Sequence, residues 1–386
     1  MYYGFIIGGG IKMTYCIGWK TINDIFMVAD SAVTFTKNPT TNLSHTSFGE
    51  INVNCKDTEI SESITKIHGI DNKLIIGYSG DIDNALKCIE YIRGLVDSEI
   101  FNINTTLQNI CENTEIIDGV TLIVGFINYE IAQLYKIQST SVEVIDTLVE
   151  IGSIPSSHDF SKKIKWMINE GCGKTTYDGE ITLTNREILP SIIITAQCYS
   201  IKYRLVEIYG VGGAFYGASL TKQGFKRNEN ISYLITNKSP CIITNQFPYK
   251  YQPAGIDYSD LISTNWVEDV LIISSTILSR PVALFDNFDY ETNKFILDAL
   301  EYTSQKEMFS VNTEQFVLFN PFTEMITVID IRKETYNDIF KLWSKYENDL
   351  VHYFIVFNIG IIDIINFAQF DDEDEVFLNW LLVSPG

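Results

Sequence analysis

The sequence predicts an α+β fold in which helices cover layered β-sheets. Two β-hairpins open the chain, an amphipathic helix follows them, and further strand patterns precede a second helix. This order of strands and helices is typical of a layered sandwich of α and β elements. The chain has 386 residues, of which 46% are hydrophobic, and this is enough for one large core or two smaller ones.

The first hairpin is predicted from two β-rich runs near the start of the chain. Residues 14–22 and 25–31 are joined at Asn23 and Asp24, a turn-forming pair, so the two runs should pair as antiparallel strands. Residues 36–63 are rich in Asn, Thr and Ser and have little periodicity. They are predicted to form a long exposed loop, and loops of this length are usually functional or mobile.

The second hairpin leads into the first helix. Residues 64–69 and 73–79 are joined at Asp71 and Asn72, another turn-forming pair. Asp81 then suits the amino-terminal end of a helix, because its carboxylate can accept a hydrogen bond from a free backbone N–H. The apolar residues that recur there at helical spacing are Ile82, Ala85, Leu86, Ile89, Ile92 and Leu95.

The middle of the chain adds two helices and three strands. A helix is predicted near 105–112 and another at 156–168, and strands are predicted at 120–127, 131–138 and 142–152.

The chain divides into three parts. Residues 1–13 are interpreted as a leader or propeptide, 14–235 as the main domain, and 236–386 as a carboxy-terminal mixed α/β extension without an assigned role. Helical patterns in this extension cover 265–279, 290–302 and 336–346, and its strand-like runs cover 315–319 and 325–330.

Composition excludes several classes of function. The formal charge of −21 disfavours binding to nucleic acid or to an anionic membrane. The longest apolar run, 354–370, is too short and too polar to span a membrane. Seven scattered cysteines lack any Cys-x-x-Cys pair, and the four histidines lack metal-ligand spacing, so no disulfide framework, metal or cofactor is expected and the reduced cytoplasm is the predicted compartment.

Thr14 is the candidate catalytic residue. It directly follows Met13 and opens a hairpin whose second strand ends in Asp30 and Ser31. A threonine hydroxyl needs a base to remove its proton, and a free α-amine with a pKa of about 7.7–8.0 serves as one at neutral pH. If Thr14 became the first residue of the chain, it would supply both groups. The sequence therefore predicts an amino-terminal threonine hydrolase.

Two routes would expose Thr14. Residues 1–12 lack the features of a secretory signal, and the stretch 8–13 (GGGIKM) is what a ribosome-binding site and spacer would encode if translated in frame. Translation would then start at Met13, which is normally removed before a small residue. The alternative is a short propeptide that is removed by self-cleavage between Met13 and Thr14.

Several blocks of the chain resemble proteasome β subunits and the bacterial heat-shock-locus peptidase. The opening block is 14–18 (TYCIG) with 28–31 (VADS), and it is followed by 64–67 (ITKI) and 77–81 (GYSGD). A further block, 133–137 (QLYKI) with 149–153 (VEIGS), is similar to the family's strand pair leading to a Gly-Ser turn. The resemblance covers 14–95 well and 118–165 less closely, weakens towards 235 and is absent beyond it.

The resemblance implies a four-layer αββα sandwich of the amino-terminal-nucleophile hydrolases and a set of site residues. Lys66 would direct its ammonium at Thr14 and lower the proton affinity there, and Asp30 would keep Lys66 charged and oriented. Gly80 would donate a backbone N–H to the oxyanion, and Ser153 would complete the hydrogen bonds near the α-amine.

Further positions bear on specificity and on activity. Tyr78 and Ser79 would line the substrate pocket, where the bulk of Tyr78 favours small side chains or demands a shifted pocket. The family carries Asp and Ser before a late Gly-Gly pair, whereas this chain has Ile208 and Val211 there, so its supporting network is incomplete or differently built. Cys16 is a rival nucleophile, but a packed thiol is the favoured interpretation because no base is near it in the sequence.

The leading hypothesis is a cytoplasmic, bacterial, proteasome-like threonine peptidase that acts on peptide or protein substrates and undergoes autoprocessing. The resemblance also implies a homo-oligomeric ring, and an ATPase or another protein is a possible partner. Two alternatives remain: a catalytically silent structural or binding subunit, and an amidase of the same superfamily that acts on small amides.

Overall fold

The computed structural model describes residues 14–36, 46–50, 58–62, 64–96, 101–171, 185–236, 259–275, 281–286, 314–321, 325–330 and 378–381. The chain divides into two compact units. The first contains the residues up to Asn228, together with Glu268–Leu271 and the segment that begins at Val282, and the second contains the remainder.

The first sheet of the first unit carries the predicted first hairpin. Strands β1 (Tyr15–Lys20) and β2 (Ile25–Asp30) pair in antiparallel orientation, as predicted. Every residue of β2 is buried, because other elements cover both faces of this central strand. Leu148–Gly152 (called β10 below) pairs with β1, and Phe215–Thr221 (β11) pairs with β2 and with Gly224–Arg227 (β12).

A small two-stranded sheet follows β2. Strand β3 (Val33–Thr36) pairs with β4 (Thr58–Ser61) in antiparallel orientation. The loop predicted over 36–63 is therefore wrong at 58–61, because pairing with a partner strand supplies hydrogen bonds that local periodicity does not reveal.

The second sheet of the first unit begins with the predicted second hairpin. Strands β5 (Ile67–Ile70) and β6 (Leu74–Gly80) pair in antiparallel orientation. Asp71 and Asn72 both have positive φ and form the centre of a turn that is closed by a hydrogen bond of 2.9 Å from Lys73 N–H to the Ile70 carbonyl. Antiparallel neighbours complete the sheet in the order β5-β6-β7-β8-β9, with β7 at Val120–Asn128, β8 at Ile131–Gln138 and β9 at Ser141–Ile145.

The strand predicted over 142–152 is two strands in different sheets. Strand β9 pairs with β8, whereas β10 pairs with β1. The chain thus passes from one sheet to the other around Asp146 and Thr147, which the continuous apolar pattern does not show.

The helices of the first unit form two groups. The first group is α1 (Ile82–Val96), α2 (Ile103–Glu112) and α3 (Thr114–Ile117), of which α1 begins as predicted, with Asn84 N–H donating to Asp81 Oδ1 at 3.1 Å. The second group is a single 3₁₀ turn (Ser157–Asp159), α4 (Phe160–Gly171), α5 (Asn185–Tyr203) and α6 (Leu205–Tyr209). Helix α5 was not predicted, because its described residues 188–198 are all buried and it shows no amphipathic stripe.

Contacts among these elements define the core of the first unit. The two five-stranded sheets contact each other, with β1 against β6 and β8, and β11 against β7. Helix α1 contacts β6 and β7, and α2 contacts β8 and β9, whereas α5 contacts β2 and β11. The fold is therefore of the α+β class, with antiparallel sheets and few helices.

The second unit is built around a mixed sheet. Strands β13 (Ile231–Thr236) and β14 (Ser259–Val267) are antiparallel, and β13 is parallel to β17 (Gln315–Asn320). Strand β18 (Met325–Asp330) pairs antiparallel with β17 and parallel with β19 (Leu378–Leu381). Strands β15 (Val270–Ser275) and β16 (Val282–Leu284) lie where the chain passes between the two units.

Outcomes for the carboxy-terminal predictions differ. The strands predicted at 315–319 and 325–330 are confirmed. The helix predicted at 265–279 is wrong, because β14 and β15 occupy its described part and turn at Glu268, whose φ is 54°. The patterns at 290–302 and 336–346 lie outside the described residues. Within the part of the chain that the structure describes, no helix has both the length and the apolar character needed to cross a membrane.

Candidate active site

Thr14 directly precedes β1, the strand that lies between β10 and β2 in the first sheet. The next residue, Tyr15, pairs with Gly152 of β10, and the Thr14 carbonyl accepts a hydrogen bond of 2.6 Å from Ser153 N–H. The Thr14 side chain is fully buried, and its hydroxyl has no hydrogen-bond partner within the described structure. A buried hydroxyl without a partner is costly, so this position calls for a functional explanation.

Gly152 makes the close approach to Thr14 possible. Its φ is +88°, a conformation that L side chains rarely adopt. A Cβ atom at this position would overlap the Thr14 carbonyl oxygen and would lie 3.1 Å from Thr14 Oγ1. Gly152 therefore lets the Gly-Ser turn reach Thr14, and Ser153 contacts Thr14 through its backbone N–H. The sequence predicts a role for Ser153 but none for Gly152.

Asp30 and Lys66 form a fully buried ion pair next to Thr14. Asp30 ends β2, Lys66 precedes β5, and Lys66 Nζ lies 2.6 Å from Asp30 Oδ1. The same oxygen accepts a hydrogen bond of 2.9 Å from Tyr15 N–H. A single carboxylate oxygen thus connects the lysine ammonium to the peptide bond that follows Thr14.

The environment of this pair sets its protonation. Burial lowers the pKa of Lys66 and raises the pKa of Asp30, because both charged forms lose hydration. The opposite charge of the partner works against both shifts. Asp30 Oδ2 also accepts a hydrogen bond of 3.0 Å from Gly212 N–H. Lys66 Nζ donates a second hydrogen bond, of 2.7 Å, to the Ala32 carbonyl.

Gly80 and its neighbours end strand β6. Gly80 is half-buried and has a φ of +97°, and a Cβ there would overlap the Gly119 carbonyl oxygen. Ser79 is buried. Tyr78 belongs to the hydrophobic core cluster of the second sheet, donates its hydroxyl to the Thr65 carbonyl at 3.2 Å and stacks on His68. Its role in a substrate pocket stays a prediction.

The late Gly-Gly pair contacts the site in place of the side chains that the chain lacks. Ile208 and Val211 have hydrocarbon side chains, so neither supplies a polar group. Ile208 is 54% exposed and Val211 is fully buried. Gly212 N–H reaches Asp30, and the Gly212 carbonyl accepts a hydrogen bond of 3.0 Å from Ala32 N–H. The backbone of the glycine pair is therefore tied to the end of β2.

Two further carboxylates hold the same segment. Gly213 N–H donates to Glu50 Oε2 at 2.7 Å, and Ala214 N–H donates to Glu62 Oε1 at 3.1 Å. Three consecutive backbone N–H groups, at residues 212–214, thus each bind a different carboxylate. Both glutamates lie in the span predicted as an exposed loop, and no sequence signal marked them.

The Cys16 thiol is a poor nucleophile in this environment. It is fully buried, and burial raises its pKa to about 12. Its sulfur packs against Gly77, where a Cβ would lie 2.6 Å from it. The geometry therefore favours the packed-thiol interpretation.

The described ranges contain no group of three or more His, Cys, Asp or Glu side chains able to hold a metal ion. No protein-family model and no curated protein sequence matches this chain.

Proposed function

We propose that this protein is an amino-terminal threonine hydrolase related to proteasome β subunits, and that it cleaves peptide bonds through Thr14. The observation that carries the proposal is the shared oxygen of Asp30, which binds both Lys66 Nζ and Tyr15 N–H beside the unpartnered Thr14 hydroxyl.

The hydrogen-bond inventory of Lys66 supports this role. An ammonium group has three N–H donors, and the described acceptors, Asp30 Oδ1 and the Ala32 carbonyl, use two of them. In the proposed active form, the third is directed at Thr14 Oγ1. A positive charge at that oxygen favours its deprotonated form and so makes the hydroxyl a better nucleophile.

The proposed reaction is an acyl transfer. Thr14 Oγ attacks the carbonyl carbon of the scissile peptide bond, and the α-amine of Thr14 accepts the hydroxyl proton. Gly80 N–H stabilises the oxyanion, the proton passes to the leaving amine as the C–N bond breaks, and an ester remains on Thr14. Water then hydrolyses the ester, and the hydroxyl is restored.

The layer order of the first unit supports the finer fold assignment. Helices α1 and α2 contact one sheet, α5 contacts the other, and the sheets contact each other, and these contacts support an αββα order of layers. This order matches that of the amino-terminal-nucleophile hydrolases. We propose that fold for the first unit, with self-association into rings and a protein partner as further consequences of the same kinship.

Covalent labelling tests the proposal. Purified protein is incubated with a peptide epoxyketone or vinyl sulfone, and the intact mass and the modified residue are determined for the wild type and for Thr14→Ala. We expect a chain that starts at Thr14, labelling of Thr14, and no labelling of the variant. Equal labelling of both proteins, or active material that retains residues 1–13, would contradict the proposal.

The absence of a polar group at Val211 favours one alternative, a catalytically silent subunit. In that case a processed Thr14 would remain unlabelled while the protein still assembles, which analytical ultracentrifugation would detect. A panel of peptides and small amides separates a peptidase from an amidase of the same superfamily.

A further inference from the structure

We infer that Glu50 and Glu62 are positioning residues for the Asp30–Lys66 pair, and that they act by holding the 212–214 backbone segment against Asp30. This inference rests on the proposed function, since it assigns a supporting network to the same site. It concerns a pair of carboxylates that the resemblance to proteasome β subunits does not imply.

The contacts of Glu50 fix the middle of the segment. Glu50 Oε2 accepts from Gly213 N–H at 2.7 Å and from Thr46 Oγ1 at 3.2 Å, and Oε1 accepts from Ser200 Oγ at 2.6 Å. A Cβ at Gly212 would lie 2.6 Å from Glu50 Oε2, so only glycine lets the carboxylate approach this closely.

The contacts of Glu62 fix the end of the segment and the end of β2 together. Glu62 Oε1 accepts from Ala214 N–H, from Ser47 Oγ at 2.9 Å and from Ser31 Oγ. Ser31 Oγ in turn accepts a hydrogen bond of 2.7 Å from Ala214 N–H. Because Ser31 directly follows Asp30, Glu62 binds both the end of β2 and the 212–214 segment.

The 212–214 segment contacts the Asp30–Lys66 ion pair through Gly212. With Gly213 and Ala214 held by the glutamates, Gly212 N–H stays directed at Asp30 Oδ2, and the Asp30 carboxylate keeps the orientation in which Oδ1 binds Lys66. Hydrogen bonds to a charged acceptor are about twice as strong as neutral ones. The two glutamates thereby replace the missing Asp and Ser side chains at Ile208 and Val211 with backbone contacts.

Protonation of Glu50 modulates this arrangement. The pKa of Glu50 is raised to about 7: burial is the largest cause and the charge of the neighbouring Glu62 adds to it, while the hydrogen bonds from Ser200 and Gly213 oppose the shift. The pKa of Glu62 is also raised by burial. Among the described charged groups, Asp30 binds the segment through Gly212 N–H, and the charge of Glu62 acts on Lys66.

Glutamine is the informative substitution at position 50. A protonated Glu50 can donate to Ser200 Oγ, which can donate to the Val211 carbonyl at 3.2 Å, while its other oxygen still accepts from Gly213. Glu50→Gln reproduces this arrangement and keeps the fold, but it cannot ionise. Glu50→Ala removes the contacts altogether.

The experiment measures the rate of probe labelling at Thr14 from pH 5.5 to pH 8.5. We expect Glu50→Ala and Glu62→Ala to label at least tenfold more slowly than the wild type at pH 8. Glu50→Gln should match the wild type within twofold at pH 5.5 and fall at least threefold below it at pH 8. The matched control is Glu207→Gln, a half-buried carboxylate on α6 that pairs with Arg204 and should label at the wild-type rate.

Failure of this inference and failure of the proposed function give different results. If the wild type labels at Thr14 but the ratio of Glu50→Gln to wild type is constant across pH, the positioning role is overturned while the hydrolase stands. If the wild type does not label at Thr14 at all, the proposed function falls, and the inference falls with it. Should either alanine variant fail to fold, the Glu50→Gln profile still decides the question.

Discussion

Tyr15 binds two buried carboxylates, one paired with a buried lysine and the other with a half-exposed lysine. Its backbone N–H donates to Asp30, whose cation is the fully buried Lys66. Its hydroxyl donates to Glu150 Oε1 at 2.8 Å, and Glu150 pairs with Lys165, which is 42% exposed. We call these groups the Asp30 centre and the Glu150 centre.

The two centres differ in the burial of their cations and in the hydrogen bonds around them. At the Asp30 centre both charges are removed from water and the adjacent Thr14 hydroxyl lacks a partner, so the arrangement is costly. At the Glu150 centre the lysine remains hydrated, and Ser161 Oγ adds a 2.6 Å hydrogen bond. The Glu150 carboxylate is buried, but its hydrogen bonds are satisfied and its cation is half-exposed, so this centre needs no function to explain it.

Removing each lysine is the strongest way to break the comparison. Lys66→Met should lower labelling of Thr14 at least about 100-fold and destabilise the fold by about 3–5 kcal/mol, because Asp30 is left charged and buried. Lys165→Met removes a half-exposed cation and leaves the buried Glu150 carboxylate its hydrogen bonds from Tyr15 and Ser161, so it should cost about 1–3 kcal/mol and leave labelling unchanged. Urea unfolding and labelling rates measure both effects.

A double variant checks the cause of the Lys66 effect. Adding Asp30→Asn to Lys66→Met removes the uncompensated charge, so the free energy of unfolding should recover by about 2 kcal/mol or more while labelling stays absent. If stability fails to recover, the loss arises from packing around Lys66 and the electrostatic account of the Asp30 centre is wrong.

Gly152→Ala should disturb the position of Thr14 directly. The new Cβ meets the Thr14 carbonyl and the positive φ disfavours an L residue, for a combined cost of about 2–4 kcal/mol and a loss of labelling. Gly94→Ala is the matched control, since this exposed glycine of α1 has nothing within 4 Å of a built Cβ. It should stabilise the protein by about 0.5–1 kcal/mol. Equal thermal shifts in the two variants would contradict the close approach at Gly152.

The stability of the protein should depend on pH through Glu50. Its folded pKa of about 7 lies above its ordinary value of 4.5, so its contribution to folding is complete below pH 4.5 and is lost as the pH rises through 7. Between pH 4.5 and pH 8 the wild type should lose about 1–3 kcal/mol of unfolding free energy relative to Glu50→Gln. Denaturant titrations at several pH values test this, and a constant difference between the two proteins would refute it.

The smallest effect is expected at the Glu150 centre. Ser161→Ala removes one of three donors to Glu150 and should cost about 1 kcal/mol. Labelling of Thr14 should remain at the wild-type rate. A large drop in labelling would show that the two centres are coupled through Tyr15 and that the Glu150 centre also affects Thr14.

The local elements of the first unit were predictable because their signals are local. The turn pairs Asn23-Asp24 and Asp71-Asn72 predicted both hairpins, and Asp81 with its apolar periodicity predicted α1. Elements defined by their partners were not predictable. Helix α5 lost its amphipathic pattern through burial, and 142–152 divides between two sheets without a break in its apolar pattern.

The sequence by itself determined the local elements, and it predicted that Thr14 behind Met13 acts together with Asp30, Lys66 and Gly80. Only the tertiary structure decided that Lys66, Asp30 and the Tyr15 amide share one oxygen, and that Glu50 and Glu62 hold the segment from Gly212 to Ala214. The physical reason is that hydrogen bonds and burial join groups that lie from 15 to 163 residues apart, and no periodicity along the chain records such pairings.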